Sequence, residues 1–241
     1  MKKTFILLFG VVAYVTFLFA FLYAIGFVAN AIVPKKIDGI GGALSFKAVL
    51  LNAVLLMAFA LQHSVMARPS FKRWITRFVD PAMERSIFVL VSSLLLLLLF
   101  WQWQSIDVVV WNTSGAAAIL LQAIAASGWL IVLASTFMIN HFDLFGLKQV
   151  IDNLKNKQAP DSHFKVTWFY RIVRHPLMLG FLIAFWATPV MTVGHLLFSV
   201  CTSAYILIAV KFFEERDLIK THGDDYLKYK KDVPMLIPFT K

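Results

Sequence analysis

Cysteine and charge are what this chain lacks. Cys201 is the single cysteine in 241 residues. That excludes an intrachain disulfide and a thiolate-rich metal cluster. Within its apolar run Cys201 reads as a small buried residue. Charged residues are 15% of the chain, against about a quarter in soluble globular proteins. Apolar residues reach 60% and the mean hydropathy is +0.76. The composition excludes a soluble domain and predicts an integral membrane protein. No internal repeat, second domain or metal-ligand spacing interrupts the pattern. Lys and Arg are also missing from 104–114 and 189–194, and those gaps matter for orientation.

The net charge of +10 reads against a nucleic-acid partner, because the basic residues cluster beside apolar runs. Such clusters orient a membrane protein and contact anionic lipid. Six apolar segments stand out, at about 4–33, 44–67, 86–103, 115–140, 176–190 and 192–213. All but the fifth have the length of a helical span. Arg68, Lys72, Arg73, Arg77 and Arg85 follow the second. Lys148, Lys155, Lys157, Lys165, Arg171 and Arg174 follow the fourth. The excess of Lys and Arg places both termini in the cytoplasm, with Lys35 and Lys36 discordant. The first apolar run continues to Val33 without a cleavage pattern, so a retained first span is expected. Trp101, Trp103 and Trp111 read as an interfacial aromatic belt.

The stretch from Arg174 to Pro238 organises the rest. Pro176 suits the first turn of a helix, where its missing N–H costs nothing. About thirty-four mostly apolar residues separate that start from Glu214 and Glu215, about 50 Å of helix. That overshoots a hydrocarbon core of roughly 30 Å. Pro189 and Gly194 offer a turn, so a hairpin is expected. It returns Glu214 and Glu215 to the rim that His175 left. His222-Gly223 reads as a stop, Asp224 as a cap for a further surface helix, and Pro234 as its end.

The helix start at Pro176 is a ready site for a carboxylate or phosphate, with Arg174 and His175 as additional donors. Gly180 lets something flat or bulky approach the backbone. Glu214 or Glu215 can accept from a ribose diol or attract a cation. An anion grip beside a carboxylate suits S-adenosylmethionine. Two acidic residues after a span equally suit a solvated helix face or a lipid-side ion pair.

Two further polar groups sit at span ends. Gln62 and His63 close the second apolar run one turn before its basic loop. Polar groups at that depth pair with one another or face a cavity. They read either as interhelical hydrogen bonds or as the wall of a substrate pocket. Asn140, His141 and Asp143 stand where the fourth span leaves the membrane, as local capping or as part of the same pocket. A permease should carry polar residues deep in several spans; here they crowd the rim.

His-Pro-Leu-Met-Leu-Gly at 175–180, Glu-Glu at 214–215, Tyr226, Tyr229 and Val-Pro-Met-Leu-Ile-Pro at 233–238 resemble the isoprenylcysteine carboxyl methyltransferase superfamily. Met178 stands where that superfamily usually carries an aromatic residue. Phe21–Phe27, Gln62–Arg68, Glu84-Arg85-Ser86, Phe100–Trp103 and His141–Leu147 are similar to the bacterial NnrU-like methanethiol S-methyltransferases, nearly along the whole chain. The resemblance implies an all-α polytopic helix bundle of five to six spans with a cytoplasmic C-terminal helical segment. It implies one methyltransferase domain over 1–241, with substrate-side helices in 1–145 and a cofactor-binding hairpin and tail in 168–241.

It further implies methylation of a small volatile thiol, methanethiol, by S-adenosylmethionine in the bacterial inner membrane, with the site cytoplasmic and no metal. Arg174, His175, Pro176, Leu177, Gly180, Glu214, Glu215, Tyr226 and Tyr229 would bind the donor, and Gln62 and Asp143 the substrate. The thiolate is the nucleophile, so a base or a positive field is needed. His63 and His141 are candidate bases; Arg68 or Arg174 would lower the thiol pKa instead. A lipid or prenylcysteine substrate, or a non-enzymatic membrane protein, is the competing expectation.

Overall fold

A computed structural model describes residues 1–157 and 166–240. Lys165, counted above among the basic residues, lies outside the described residues. In chain order the helices are α1 Lys2–Val28, α2 Phe46–Met66, α3 Pro69–Ile75, α4 Glu84–Gln102, α5 Gly115–Ile139, α6 His141–Leu144, α7 Leu147–Leu154, α8 Pro176–Trp186, α9 Val193–Ala209 and α10 Glu215–Asp232. Two strands, β1 Val109–Asn112 and β2 Val190–Thr192, pair as a short ribbon. A π-helical turn, Val210–Glu214, joins α9 to α10.

Among the described residues, five helices are long and apolar enough to cross a membrane: Lys2–Val28, Phe46–Met66, Pro81–Gln102, Gly115–Ile139 and Val193–Asp232. In the last, the apolar stretch ends at Phe213 and the charged α10 continues beyond it. The protein is an integral membrane protein built as a polytopic helix bundle. The fifth predicted segment becomes α8, whose 11 residues measure about 16 Å, half of a hydrocarbon core.

The chain divides into two compact units. Of the described residues, the first holds 1–108, 140–157 and 192–195. There α1 packs against α4 and α7, and α2 against α4. Gly10 of α1 meets Val150 of α7 at a distance no side chain would allow. Met66, Phe88 and Val89 form an apolar core, flanked by Phe17, Phe71 and Phe145. At the other helix ends, the loop 29–45 is tied down by polar contacts. Asp107 accepts from the Gly39 and Gly42 amides at 2.8 and 2.5 Å, and Asn52 and Gln104 exchange bonds at 2.7 and 2.9 Å. Trp103 is fully buried and donates to Ile37 O at 3.0 Å. It therefore does not join the aromatic belt expected from its position, whereas Trp101 is 71% exposed.

The second unit holds, of the described residues, 109–139, 166–191 and 196–240. Its centre is α5 against α8, where two glycines let the backbones touch. A Cβ on Gly180 would lie 2.7 Å from Gly128 O and 2.9 Å from Val132 N. Such small-residue contacts are how membrane helices approach closely. The expected hairpin is present: α8 ends at Trp186, turns through β2, and α9 runs back along it. Phe185 O accepts from Ser199 Oγ at 2.8 Å, and Trp186 Nε1 donates to Ser203 at 2.9 Å. Ile206, Val210 and Leu236 pack with Met178, Phe181 and Leu182.

Candidate active site

Within the second unit the hairpin brings the motifs around Arg174 and Glu214 together. His175 is the residue before α8, and Pro176 occupies the first helical position. The amides of Arg174 and His175 donate to Pro234 O and Met235 O at 2.8 and 3.2 Å. The chain after α10 therefore lies along the start of α8 as a strap, which brings Val233–Pro238 and the His-Pro motif together.

Glu215 is the hub of the side chains. It is 3% exposed, and its Oε1 accepts from Arg174 Nε at 2.7 Å and Nη2 at 2.5 Å. Its Oε2 accepts from Lys230 Nζ at 2.6 Å. His175 spans both acids, with Nδ1 3.4 Å from Glu214 Oε1 and Nε2 3.5 Å from Glu215 Oε1. Burial alone would lower the His175 pKa, but the hydrogen bonds and charges of the two glutamates outweigh it and raise it to about 9. Burial alone would raise Glu215; bonds from His175, Lys230 and Arg174 hold it at about 2 instead. Three cations therefore face two carboxylates at neutral pH.

Burial also lifts three phenols. Tyr229 is pushed up to about 12. Tyr170 and Tyr226 are raised by burial and then by the glutamate charges. Tyr229 OH donates to Tyr170 O at 2.5 Å, and the Tyr226 and Tyr229 rings meet edge to face at 5.8 Å. These groups remain neutral hydroxyls and scaffold the cluster.

Two sequence expectations change here. Arg174 is buried, and besides Glu215 its Nη1 donates to Lys230 O at 3.0 Å and Val233 O at 2.5 Å. Its guanidinium thus ties Glu215 to the strap. The space beside Gly180 is filled by the α5 backbone, so it serves helix packing and admits no flat ligand. The two glutamates also separate: the Glu215 side chain is 4% exposed and saturated, that of Glu214 45%. Glu214 is the carboxylate able to meet a ligand. Leu177 and Met178, half-buried in the first turn of α8, carry amides that precede the intrahelical bonding pattern.

The first unit holds a separate polar group. Gln62 Nε2 donates to Met66 Sδ at 2.9 Å, and Ser92 Oγ donates to Gln62 Oε1 at 3.2 Å. The same hydroxyl lies 3.4 Å from His63 Nδ1. The His63 ring rests on Phe59 and Phe88 at 5.3 and 4.8 Å, and Arg85 covers Phe88 at 4.9 Å. Arg68 Nε donates to Ser64 O at 3.2 Å.

His141 is buried, with Nε2 2.8 Å from Tyr14 OH, and burial lowers its pKa. Phe17 stacks on Phe145 at 3.7 Å beside it. Asp143 takes part in local capping: Gln149 Nε2 donates to its carbonyl at 3.0 Å and to Oδ1 at 3.3 Å. Ser92 and Tyr14 escaped the sequence reading, and Lys230 was read only as part of an amphipathic surface segment. A hydroxyl inside an apolar run is the signal that would have raised the first two.

The sequence profile of the family described as NnrU protein matches residues 50–225, most of the chain. This protein belongs to the NnrU family. Its relatives carry an activity in their names. Methanethiol S-methyltransferase 2 of Bradyrhizobium diazoefficiens is 55% identical over 97% of this chain and 90% of its own length. Methanethiol S-methyltransferase of Mycobacterium tuberculosis is 50% identical over 99% and 98%. Methanethiol S-methyltransferase of Crocosphaera subtropica is 49% identical over 99% and 94%. No solved structure matches this NnrU-family chain.

Proposed function

We propose that this protein is a membrane methyltransferase that converts methanethiol to dimethyl sulfide, with S-adenosylmethionine as the methyl donor. The observation that carries the reading is the near full-length identity, 49–55%, to relatives bearing the name methanethiol S-methyltransferase. The residues around His175 fit such a donor: an exposed carboxylate beside a protonated imidazole, at the start of a helix. Glu214 would take the ribose diol and the first-turn amides at Leu177 and Met178 the donor's carboxylate, while Tyr226, Tyr229 and Glu215 keep that rim in shape. S-adenosylmethionine supplies an already activated sulfonium methyl group, so the chain's task is alignment and delivery of a thiolate.

His63 takes the thiol proton in this reading, and Arg68, just beyond the end of α2, favours the thiolate. Gln62 and His141 line the substrate side, His141 held by Tyr14. The whole chain acts as one domain in the bacterial inner membrane, with both termini and the reaction on the cytoplasmic side, as its loop charges favour. Headspace gas chromatography of the purified protein with methanethiol and S-adenosylmethionine tests the assignment. Dimethyl sulfide and S-adenosylhomocysteine should form in equal amounts. A preparation that binds the donor yet releases no dimethyl sulfide overturns it.

A further inference from the structure

Arg85 stands where a cation is costly. It lies in the first turn of α4, and the positive end of a helix dipole disfavours a positive side chain. It is also half-buried, so part of its hydration is lost. One nitrogen fixes its position: Nε donates to Leu144 O at 2.6 Å, and the guanidinium lies over the Phe88 ring at 4.9 Å. A guanidinium carries donors on all three nitrogens. Among the described residues, no acceptor lies within hydrogen-bond distance of Nη1 or Nη2, and neither atom is sealed in. The side chain therefore presents a fixed fork of donors above an aromatic plane.

That plane belongs to the apolar core of the first unit, where Phe88 packs with Met66 and Val89 beside Phe71 and Phe145. A ligand on the fork would set an anionic head on Nη1 and Nη2 and an apolar body against this core. Glu84 and Asp143 are close enough for their charge to act on Arg85, yet neither forms an ion pair with it. Their charge disfavours a multiply charged anion such as phosphate and leaves room for a singly charged one. His63, whose ring rests on Phe88, and His141, whose ring meets Phe145, also face this core. All of these residues belong to the first unit.

We infer that Arg85 is the anion-binding residue of a thiolate subsite within the first unit, Nη1 and Nη2 taking the sulfur of a small alkanethiolate and Phe88 its alkyl group. The inference rests on the proposed function and deepens it, by naming the group that binds the substrate as its conjugate base. On binding, the S–H bond of methanethiol breaks, its electron pair stays on sulfur, and the proton ends in bulk water. Charge-assisted bonds favour the charged form, so the bound thiol is a stronger acid than the free one.

Carbon NMR of isotope-labelled methanethiol with the full-length protein in detergent reads this without any methyl donor, because the methyl shift reports whether sulfur carries a proton. The bound thiol should titrate about one to two pH units below the free thiol, the worth of a hydrogen bond to a charged group. Arg85→Gln should return the titration to that of the free thiol. Arg85→Lys keeps the charge but loses the fork, and should recover only part of the displacement.

A wild-type protein whose bound thiol titrates with the free thiol, or Arg85→Gln with the wild-type titration, overturns the inference. Should Arg85→Gln fail to fold, nitrogen NMR of the arginine-labelled wild type decides. The Arg85 Nη signals, identified by their loss in Arg85→Lys, should move when the thiol is added; unmoved signals overturn the subsite. Should the wild type show the displaced titration yet make no dimethyl sulfide once S-adenosylmethionine is added, the subsite stands and the reaction assignment falls.

Discussion

Arg174 and Glu215 are 41 residues apart in sequence and meet at 2.5 Å, both almost fully buried. Breaking a buried pair by removing one partner strands the other charge, at a cost of about 3–5 kcal/mol. Glu215→Gln should therefore lower the unfolding free energy of the detergent-solubilised protein by about that much. Lys230 is 41% exposed at the side chain, and Lys230→Met should lose only about 0–1 kcal/mol. Equal losses from the two changes, in thermal or denaturant unfolding, contradict the burial argument.

The same cluster predicts an alkaline weakness. His175 is raised to about 9 in the folded state, above an unfolded value of about 6.5. Its contribution is fully present below about pH 6.5 and disappears as pH rises through about 9. Glu215, held at about 2, contributes fully above its ordinary range near 4.3 and loses its contribution as pH falls towards 2. Melting temperature should peak in mildly acidic buffer and drop between pH 7 and 10. His175→Gln should flatten that drop, and an unaltered alkaline slope in the variant refutes the assignment.

Adjacent glutamates should respond differently. Glu214→Gln should weaken S-adenosylmethionine binding roughly 10- to 100-fold, the range for a hydrogen bond to a charged group, with little change in stability. Calorimetric titration beside thermal unfolding separates the two effects. Unchanged affinity removes Glu214 from the donor's ribose.

Gly180→Ala tests the α5–α8 contact. The new methyl would meet backbone atoms at 2.7 and 2.9 Å, and backbone cannot swing aside as a side chain can. Overpacking of this kind costs about 1–3 kcal/mol, and Gly128→Ala should behave alike. A neutral outcome in both would mean that the helices separate without penalty.

How far the chain could be read from its residues depended on range. The spans were legible because long charge-free runs such as 4–33 admit no other structure, and the hairpin because its apolar path is too long for one crossing. The partners of Arg174 were not legible: nothing near it in sequence shows that the carbonyls of Lys230 and Val233 return to cover its guanidinium. Gly180 looked like room for a ligand, since the partner that fills it, Gly128, lies 52 residues away on another helix. Ser92 and Tyr14 were passed over because one hydroxyl in an apolar run barely changes its hydropathy.

A Cβ placed on Gly223 would find open space, with no atom beyond its chain neighbours within 4 Å. Its backbone, at φ 55° and ψ −128°, nevertheless breaks α10 into two limbs. Along a straight helix, the 15 residues from Glu215 to Lys230 would span about 22 Å. The break folds the second limb back, so that Lys230 Nζ reaches Glu215 Oε2 and the following strap reaches His175. The elbow of the cluster thus depends on a backbone conformation that glycine adopts freely, and any residue with a Cβ there would strain the latch on the carboxylate from a distance despite the open space around it.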